Sequence, residues 1–337
     1  MSQKTILAAF LDSVEHMTLR ETSSIQPGDD EVLIQPIFTA ICGSDVSFFK
    51  GHRTPAKYPV VLGHELVGNV LKVGLAVKSI NIGQRVVVEP NYPCGVCKFC
   101  RTGRGNICPN KKSLGVTIPG CFAGQFVAPA EYCWVIPESI DDYEAVVIEP
   151  LAVSMHALWQ SEVQIGDSIA VIGCGSTGLL LIHAAVAQGV KVLAYDKYTE
   201  KMEMAVKLGA EAYGSDDLIA LWEKENVTSI FECAGSSATV EMALDAAPRG
   251  SQIILMGLSA SKASFQPLRF VREGLEIKGS LIYDHPSDFA KTIELVKTGI
   301  LSPKMIISQE MSFSEINEAL VLASSGKKSK IIIAMKK

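Results

Sequence analysis

Two textures follow one another along the 337 residues. In the first 150 or so, apolar residues come in short runs broken by turn formers, as in EVLIQPIFTAIC, HELVGNVLKVG and GQRVVVEP, which predicts a β-rich domain. From about Gly166 the apolar runs alternate with segments of helical period. DSIAVIGCG reads as a buried strand, STGLLLIHAAVAQG as a helix closed by Gly189, VKVLAYD as the next strand, and TEKMEMAVKLG as a helix that Thr199 caps and Gly209 ends. SIFECAG, a helix from about Ser237 to Ala247, SQIILMG and LEIKGSLIY continue the alternation. Strand, helix, strand at this pace predicts a parallel sheet covered on both faces. After Asp284 the segment SDFAKTIELVKTG predicts a helix, followed by mixed elements to the end. The expected fold class is α/β: a β-rich domain formed by residues 1–150 and 285–337, interrupted by a doubly wound parallel sheet at 151–284.

Composition changes this picture little. The chain has 48% hydrophobic and 20% charged residues, as ordinary globular proteins do, and its length suits two domains. A net charge of −5 implies no broad basic surface, which argues against a nucleic-acid partner. Lys111-Lys112 and Lys327-Lys328-Ser329-Lys330 read as solvated faces. No apolar run reaches the roughly 18 residues of a membrane span. MSQKTILAAFLDSVEH reads as a first strand rather than a signal peptide. Nine cysteines without an export signal suit reduced thiols and a metal, and a cytoplasmic location.

Candidate chemistry begins with CGVCKFCRTGRGNIC, in which Cys94, Cys97, Cys100 and Cys108 have zinc-ligand spacing. Four thiolates fill a tetrahedral zinc, so this site, in a lobe of about residues 90–110, is structural rather than reactive. GCGSTG follows a predicted strand and opens a predicted helix, and Asp196 ends the next strand, 21 residues after Gly175. That is the dinucleotide pattern: Gly173 for the tight turn, Gly175 for approach of the pyrophosphate, Gly178 for helix–strand packing, and Asp196 for the adenosine ribose hydroxyls. Ser176 and Thr177 of the same turn and Lys201 of the following helix complete the expected cofactor contacts. The Asp196 charge would repel a 2′-phosphate, which favours NAD over NADP. Cys42, His64, Glu65 and Glu149 are candidate ligands of a second, catalytic zinc with room for a substrate oxygen; singly, Cys42 also reads as a buried thiol and Glu149-Pro150 as a helix start.

Taken together, CGSD at Cys42, GHE at Gly63, the cysteine lobe, EPL at Glu149 and GCGSTG at Gly173 stand in the order of the zinc-dependent medium-chain dehydrogenases. Over essentially its whole length the chain resembles their polyol (sorbitol-type) and threonine dehydrogenase branch. The resemblance implies a GroES-like catalytic domain, a Rossmann domain, and two zinc ions per chain, one catalytic and one structural. It implies that Cys42, His64 and a glutamate, Glu65 or Glu149, hold the catalytic zinc, where an alcohol is acidified and yields hydride to NAD. Ser44 matches the hydroxyl that passes the proton outward. Ser47 stands where many relatives carry a relay histidine, a role His52 or water could take over.

For substrate the same resemblance points to a secondary alcohol within a polyol, sugar or cyclitol. Asn91 replaces the histidine of threonine dehydrogenases, and Ile282 stands near the place of a sorbitol-type arginine. Asp284 and His285 read as loop residues without a task, although an acid such as Asp284 would suit an amino-cyclitol. L-Threonine 3-dehydrogenase and amino-cyclitol dehydrogenase are the alternatives within the family, a zinc-independent double-bond reductase the rival within the superfamily, and a zinc-ribbon binding protein the rival from another class. Relatives imply a homodimer or homotetramer joined through LEIKGSLIY. Cys121, Cys133, Cys174, Cys233 and His183 read as packed core residues.

Overall fold

The computed structural model describes residues 5–55, 57–214 and 217–335. The chain divides into two compact units, Met1–Glu149 with Asp284–Lys337, and Pro150–Tyr283.

The first unit is built on a seven-stranded sheet. Its order runs Ile307–Ser312, Lys330–Ala334, Glu31–Ala40, Glu65–Val73, Arg85–Val88 and Cys133–Val135, with Phe126–Pro129 also pairing with Glu31–Ala40. Three of these strands are the apolar runs read from the sequence. Six of the ten residues of Glu31–Ala40 are buried, Val32, Leu33, Ile34 and Ala40 among them, because the strand has neighbours on both sides. Pro36 interrupts that run, and the register with Glu65–Val73 shifts between Pro36 and Phe38. A proline has no N–H for the ladder, so it sits at such an irregularity. Phe48, Phe49, Leu62, Leu66, Val86, Phe122 and Ile331 fill the core of this unit.

In the second unit a six-stranded parallel sheet has the order Glu211–Ala212, Lys191–Tyr195, Ser168–Ile172, Val227–Glu232, Gln252–Leu255 and Glu276–Gly279. Its central strands are continuous apolar runs since helices cover both faces. The strand expected over LEIKGSLIY keeps only four residues, Glu276–Gly279. Ser280 N–H still donates to the Leu255 carbonyl, but Ile282 adopts a φ of 49°, which turns the chain out of extended backbone. Thr199 is the first residue of the helix Thr199–Lys207 rather than its cap; Tyr198 holds the cap position without a side-chain bond. Glycines do close the two helices as expected, Gly189 and Gly209 lying just past their ends with φ of 79° and 98°. No helix among the described residues is long and apolar enough to cross a membrane.

Candidate active site

Three segments of the first unit carry the candidate ligands. Cys42 precedes the short helix Gly43–Phe49, His64 and Glu65 enter the strand Glu65–Val73, and Glu149 lies in the first turn of the helix Ile148–Trp159. Cys42, His64 and Glu65 bring ligand atoms within 4.8 Å of one another. Glu149 is buried and acts electrostatically on His64, but it stands outside that set of three. Gly63 makes the local path possible. Its φ is +91°, and a Cβ there would lie 2.4 Å from the Phe122 ring, so the turn that delivers His64 accepts only glycine.

Asp45, which the sequence reading passed over, joins the two ligand-bearing loops. Its carboxylate accepts from Cys42 N–H at 2.9 Å and Gly63 N–H at 3.1 Å, and it faces His64 Nδ1 at 3.8 Å. The signal was present in CGSD, since an acid three residues after a cap position is the spacing that reaches back to the cap amide. Burial raises the Asp45 pKa above the usual carboxylate range, against the pull of His64 and the two amides. For His64, burial opposes protonation, yet Asp45 and Cys42 outweigh it and raise the imidazole pKa well above its ordinary value. His64 Nδ1 is buried without a hydrogen-bond partner. A thiol, an imidazole and a carboxylate gathered under these fields are a donor set that fits zinc, whose binding releases the protons the cluster otherwise retains.

Lys330 corrects the sequence expectation. It is not part of a solvated basic face: its side chain is 1% exposed, and Nζ donates to Glu65 Oε1 at 2.9 Å, Glu65 Oε2 at 2.6 Å and the Ile41 carbonyl at 3.3 Å. Burial disfavours its ammonium, but Glu65 and Cys42 outweigh burial and raise its pKa. Sequence could not reveal this, because the contact spans 265 positions.

His285 also departs from expectation, because it has a task. Its Nδ1 bonds to Glu89 Oε1 at 2.9 Å, an oxygen that also accepts from Trp134 Nε1 at 2.6 Å, and Glu89 is 1% exposed. The bond to Glu89 raises the His285 pKa over the opposing effect of burial. The contact fastens the returning chain to the strand that leads into the cysteine lobe. Ser44 and Ser47 are half-buried on the helix Gly43–Phe49, and His52 is exposed beyond it. Asn91 accepts a hydrogen bond from Ser113 Oγ at 2.8 Å through its Oδ1.

In the cysteine lobe the four sulfurs of Cys94, Cys97, Cys100 and Cys108 lie within 4.8 Å of one another, with close pairs at 3.5, 3.8 and 4.0 Å. A tetrahedral zinc with Zn–S near 2.3 Å needs sulfur separations of about 3.8 Å. Backbone hydrogen bonds with Val96 and Cys97 bring the Cys94 thiol down to about 6, while burial pushes Cys100 up to about 12. Cys121, Cys133 and Cys174 are buried core thiols, whereas Cys233 is half-buried.

The second unit holds the glycine turn between the strand Ser168–Ile172 and the helix Ser176–Ala187, whose N-terminus has no side-chain cap. Its backbone amides and dipole suit a pyrophosphate. A Cβ on Gly178 would lie 1.9 Å from the Gly173 carbonyl oxygen, so helix and turn approach only as glycine permits. Asp196 follows the strand Lys191–Tyr195 and accepts from Cys174 N–H at 2.8 Å and Tyr198 N–H at 2.9 Å. Lys197 and Lys201 both lie over the Tyr198 ring, at 4.9 and 5.5 Å.

A GroES-like β unit with a zinc-type donor cluster and a parallel sheet with a dinucleotide turn define a zinc-type nicotinamide dehydrogenase. Residues 28–138 match the alcohol dehydrogenase GroES-like domain, and residues 176–298 match the zinc-binding dehydrogenase family. The chain is 30% identical over 304 residues to a sorbitol dehydrogenase of Bacillus subtilis (strain 168), covering 86% of each protein. It is 32% identical over 322 residues to D-xylulose reductase A of Aspergillus oryzae, covering 90% of this chain and 89% of the relative. A zinc-binding dehydrogenase from Sinorhizobium meliloti 1021, solved with NADP, superposes with a TM-score of 0.92 at 28% identity, over 99% of this chain and 100% of the other. The chain belongs to the zinc-binding alcohol dehydrogenase family of medium-chain dehydrogenases.

Proposed function

We propose that this dehydrogenase oxidises a secondary alcohol of a polyol, sugar or cyclitol to the ketone, with NAD taking the hydride and one proton released. The observation that carries the reading is the cluster of Cys42, His64 and Glu65 within 4.8 Å, in a chain that also carries a dinucleotide turn. The sorbitol and xylulose activities named for its relatives support the substrate class. Bound zinc would supply acidity, lowering the pKa of water to roughly 7 and that of an alcohol comparably.

The chain's own residues divide the remaining tasks. Cys42 and His64, with a carboxylate from Glu65 or Glu149, would hold the catalytic zinc, and the Asp45 carboxylate, 3.8 Å from His64 Nδ1, acts on the imidazole by its charge. Ser44 passes the hydroxyl proton outward. Cys94, Cys97, Cys100 and Cys108 hold the structural zinc. Gly173, Gly175, Ser176, Thr177 and Gly178 bind the pyrophosphate, while Asp196 and Lys201 bind the adenosine ribose. The Asp196 carboxylate, repelling a 2′-phosphate, favours NAD over NADP.

We further propose a homodimer or homotetramer joined along the edge strand Glu276–Gly279. Ile277 on that strand is 43% exposed, and Leu268 and Val271 on the preceding helix Pro267–Glu273 are 66% and 84% exposed, apolar groups suited to a second copy. The free cysteines suit a reducing compartment, the cytoplasm.

A panel of polyols, sugars, cyclitols, amino-cyclitols and threonine, offered to zinc-loaded protein with NAD and with NADP, tests the reading through reduced-cofactor absorbance. A polyol, sugar or cyclitol hit with NAD is the expected result. Turnover of simple aliphatic alcohols alone would overturn the substrate class, and equal use of NADP the cofactor preference.

A further inference from the structure

The carboxyl edge of the parallel sheet holds a buried acid to which the tasks above assign nothing. Glu232 ends the strand Val227–Glu232 and is 0% exposed. Its Oε1 accepts from Ala234 N–H at 3.0 Å, Gly235 N–H at 2.9 Å and the Thr239 hydroxyl at 2.8 Å. Its main-chain carbonyl accepts from Met256 N–H and Gly257 N–H, both at 2.9 Å. One residue thus ties the turn that leads into the helix Ser237–Ala246 to the turn that follows the strand Gln252–Leu255. The second carboxyl oxygen, Oε2, is buried without a hydrogen-bond partner. Burial raises the Glu232 pKa, against the pull of Thr239 and the two amides. The turns are in close contact: a Cβ on Gly257 would lie 2.2 Å from Gly235 N and 2.6 Å from Glu232 Oε2. On the other side a Cβ on Gly173 would lie 2.6 Å from Ala234 N, so the same turn also packs against the dinucleotide turn.

Strand order gives this arrangement its meaning. The order of the sheet reverses between Ser168–Ile172 and Val227–Glu232, and a doubly wound sheet binds its dinucleotide outside the carboxyl ends of the strands at that reversal. With the adenosine half on the side of Lys191–Tyr195 and Asp196, the nicotinamide half falls over the turns that Glu232 ties together. We propose that Glu232 is a positioning residue that locks the turns after Val227–Glu232 and Gln252–Leu255 into the platform for the nicotinamide half of the cofactor, without touching the cofactor itself. Removing its acceptor leaves the Ala234, Gly235 and Thr239 donors unpaired, a cost the turns relieve by opening. This inference rests on the dinucleotide reading above.

Binding of NADH and of AMP, each measured by calorimetry on the zinc-loaded protein, separates the two halves of the site, because AMP lacks the nicotinamide half. Glu232→Ala should weaken NADH binding by roughly 10- to 100-fold, the effect of leaving buried donors unpaired, with AMP binding unchanged. Glu232→Gln is neutral, has the same shape and keeps the Oε1 acceptor, so it should bind NADH within about 3-fold of the wild type. Thr239→Val removes a single donor and should give a selective NADH loss of roughly 3- to 10-fold. This milder variant decides the matter if Glu232→Ala fails to fold. Unchanged NADH binding in these two variants, or equal weakening of NADH and AMP, would overturn the proposal. So would a Glu232→Gln variant as weak as Glu232→Ala, which would show that the Oε1 acceptor is not what holds the turns. Wild-type protein that binds neither NADH nor AMP would instead overturn the dinucleotide reading, a result seen before any variant is made.

Discussion

Asp45 touches both loops that carry candidate ligands, so one small carboxylate sets two distances at once. Asp45→Asn leaves the fold's apolar core intact but removes the charge that faces His64. We expect roughly 10- to 100-fold weaker retention of the catalytic metal, with the lobe metal unaffected, measured by competition with a chelator. His285 gives a prediction of a different kind. Its folded pKa lies above the ordinary 6.5 because Glu89 accepts from it. A raised pKa means that its contribution to stability is fully present below 6.5 and is lost as pH rises through the folded value. Denaturation midpoints should therefore fall over that window in the wild type, and His285→Gln should remove that component. A variant with the wild-type slope would show that the bond to Glu89 contributes nothing.

At the scale of elements, the strands and helices were legible wherever hydrophobic period was strong, as in SIAVI, KVLAY and QIIL of the parallel sheet. Boundaries were less so. Thr199 enters its helix instead of capping it, and the strand expected over LEIKGSLIY stops at Gly279. Period reports which face is buried, whereas an end depends on hydrogen bonds to neighbours distant in sequence. The edge strand and the helix Pro267–Glu273 beside it leave Leu268 and Val271 exposed, and that helix buries none of its residues. Leu268→Asp should dissociate the proposed oligomer by placing a charge in an apolar contact, read as a lower mass in light scattering without loss of bound dinucleotide. An unchanged mass would move the interface elsewhere.

For the whole molecule, the two metal centres differ in openness, and that difference is measurable. In the proposed assignment four thiolates would close the lobe site, while the site of Cys42 and His64 would keep a position for exchange. Chelation should therefore strip the catalytic zinc first, abolishing activity while the protein keeps one metal and its fold. Loss of the second metal should follow slowly, with a fall in melting temperature of about 3 °C or more, equivalent to roughly 2 kcal/mol for a chain of this size. Parallel loss of both metals, with activity tracking total zinc, would contradict the distinction.

Motifs whose parts lie close together were fixed by the sequence alone: the cysteine lobe, the glycine turn with Asp196, and the alternation that makes a parallel sheet. Their chemistry depends on local spacing, which a linear chain records. The gathering of Cys42, His64 and Glu65, the bracing of two loops by Asp45, the bond of His285 to Glu89, and above all the burial of Lys330 against Glu65 were decided only by tertiary structure. Each depends on segments that are separated in sequence and brought together by the fold. Lys330 lies in a stretch that reads as an exposed basic run, and only its pairing next to Glu31–Ala40 turns that one lysine inward. A side chain's charge is written in the sequence, but whether water or a carboxylate meets it is a property of the fold.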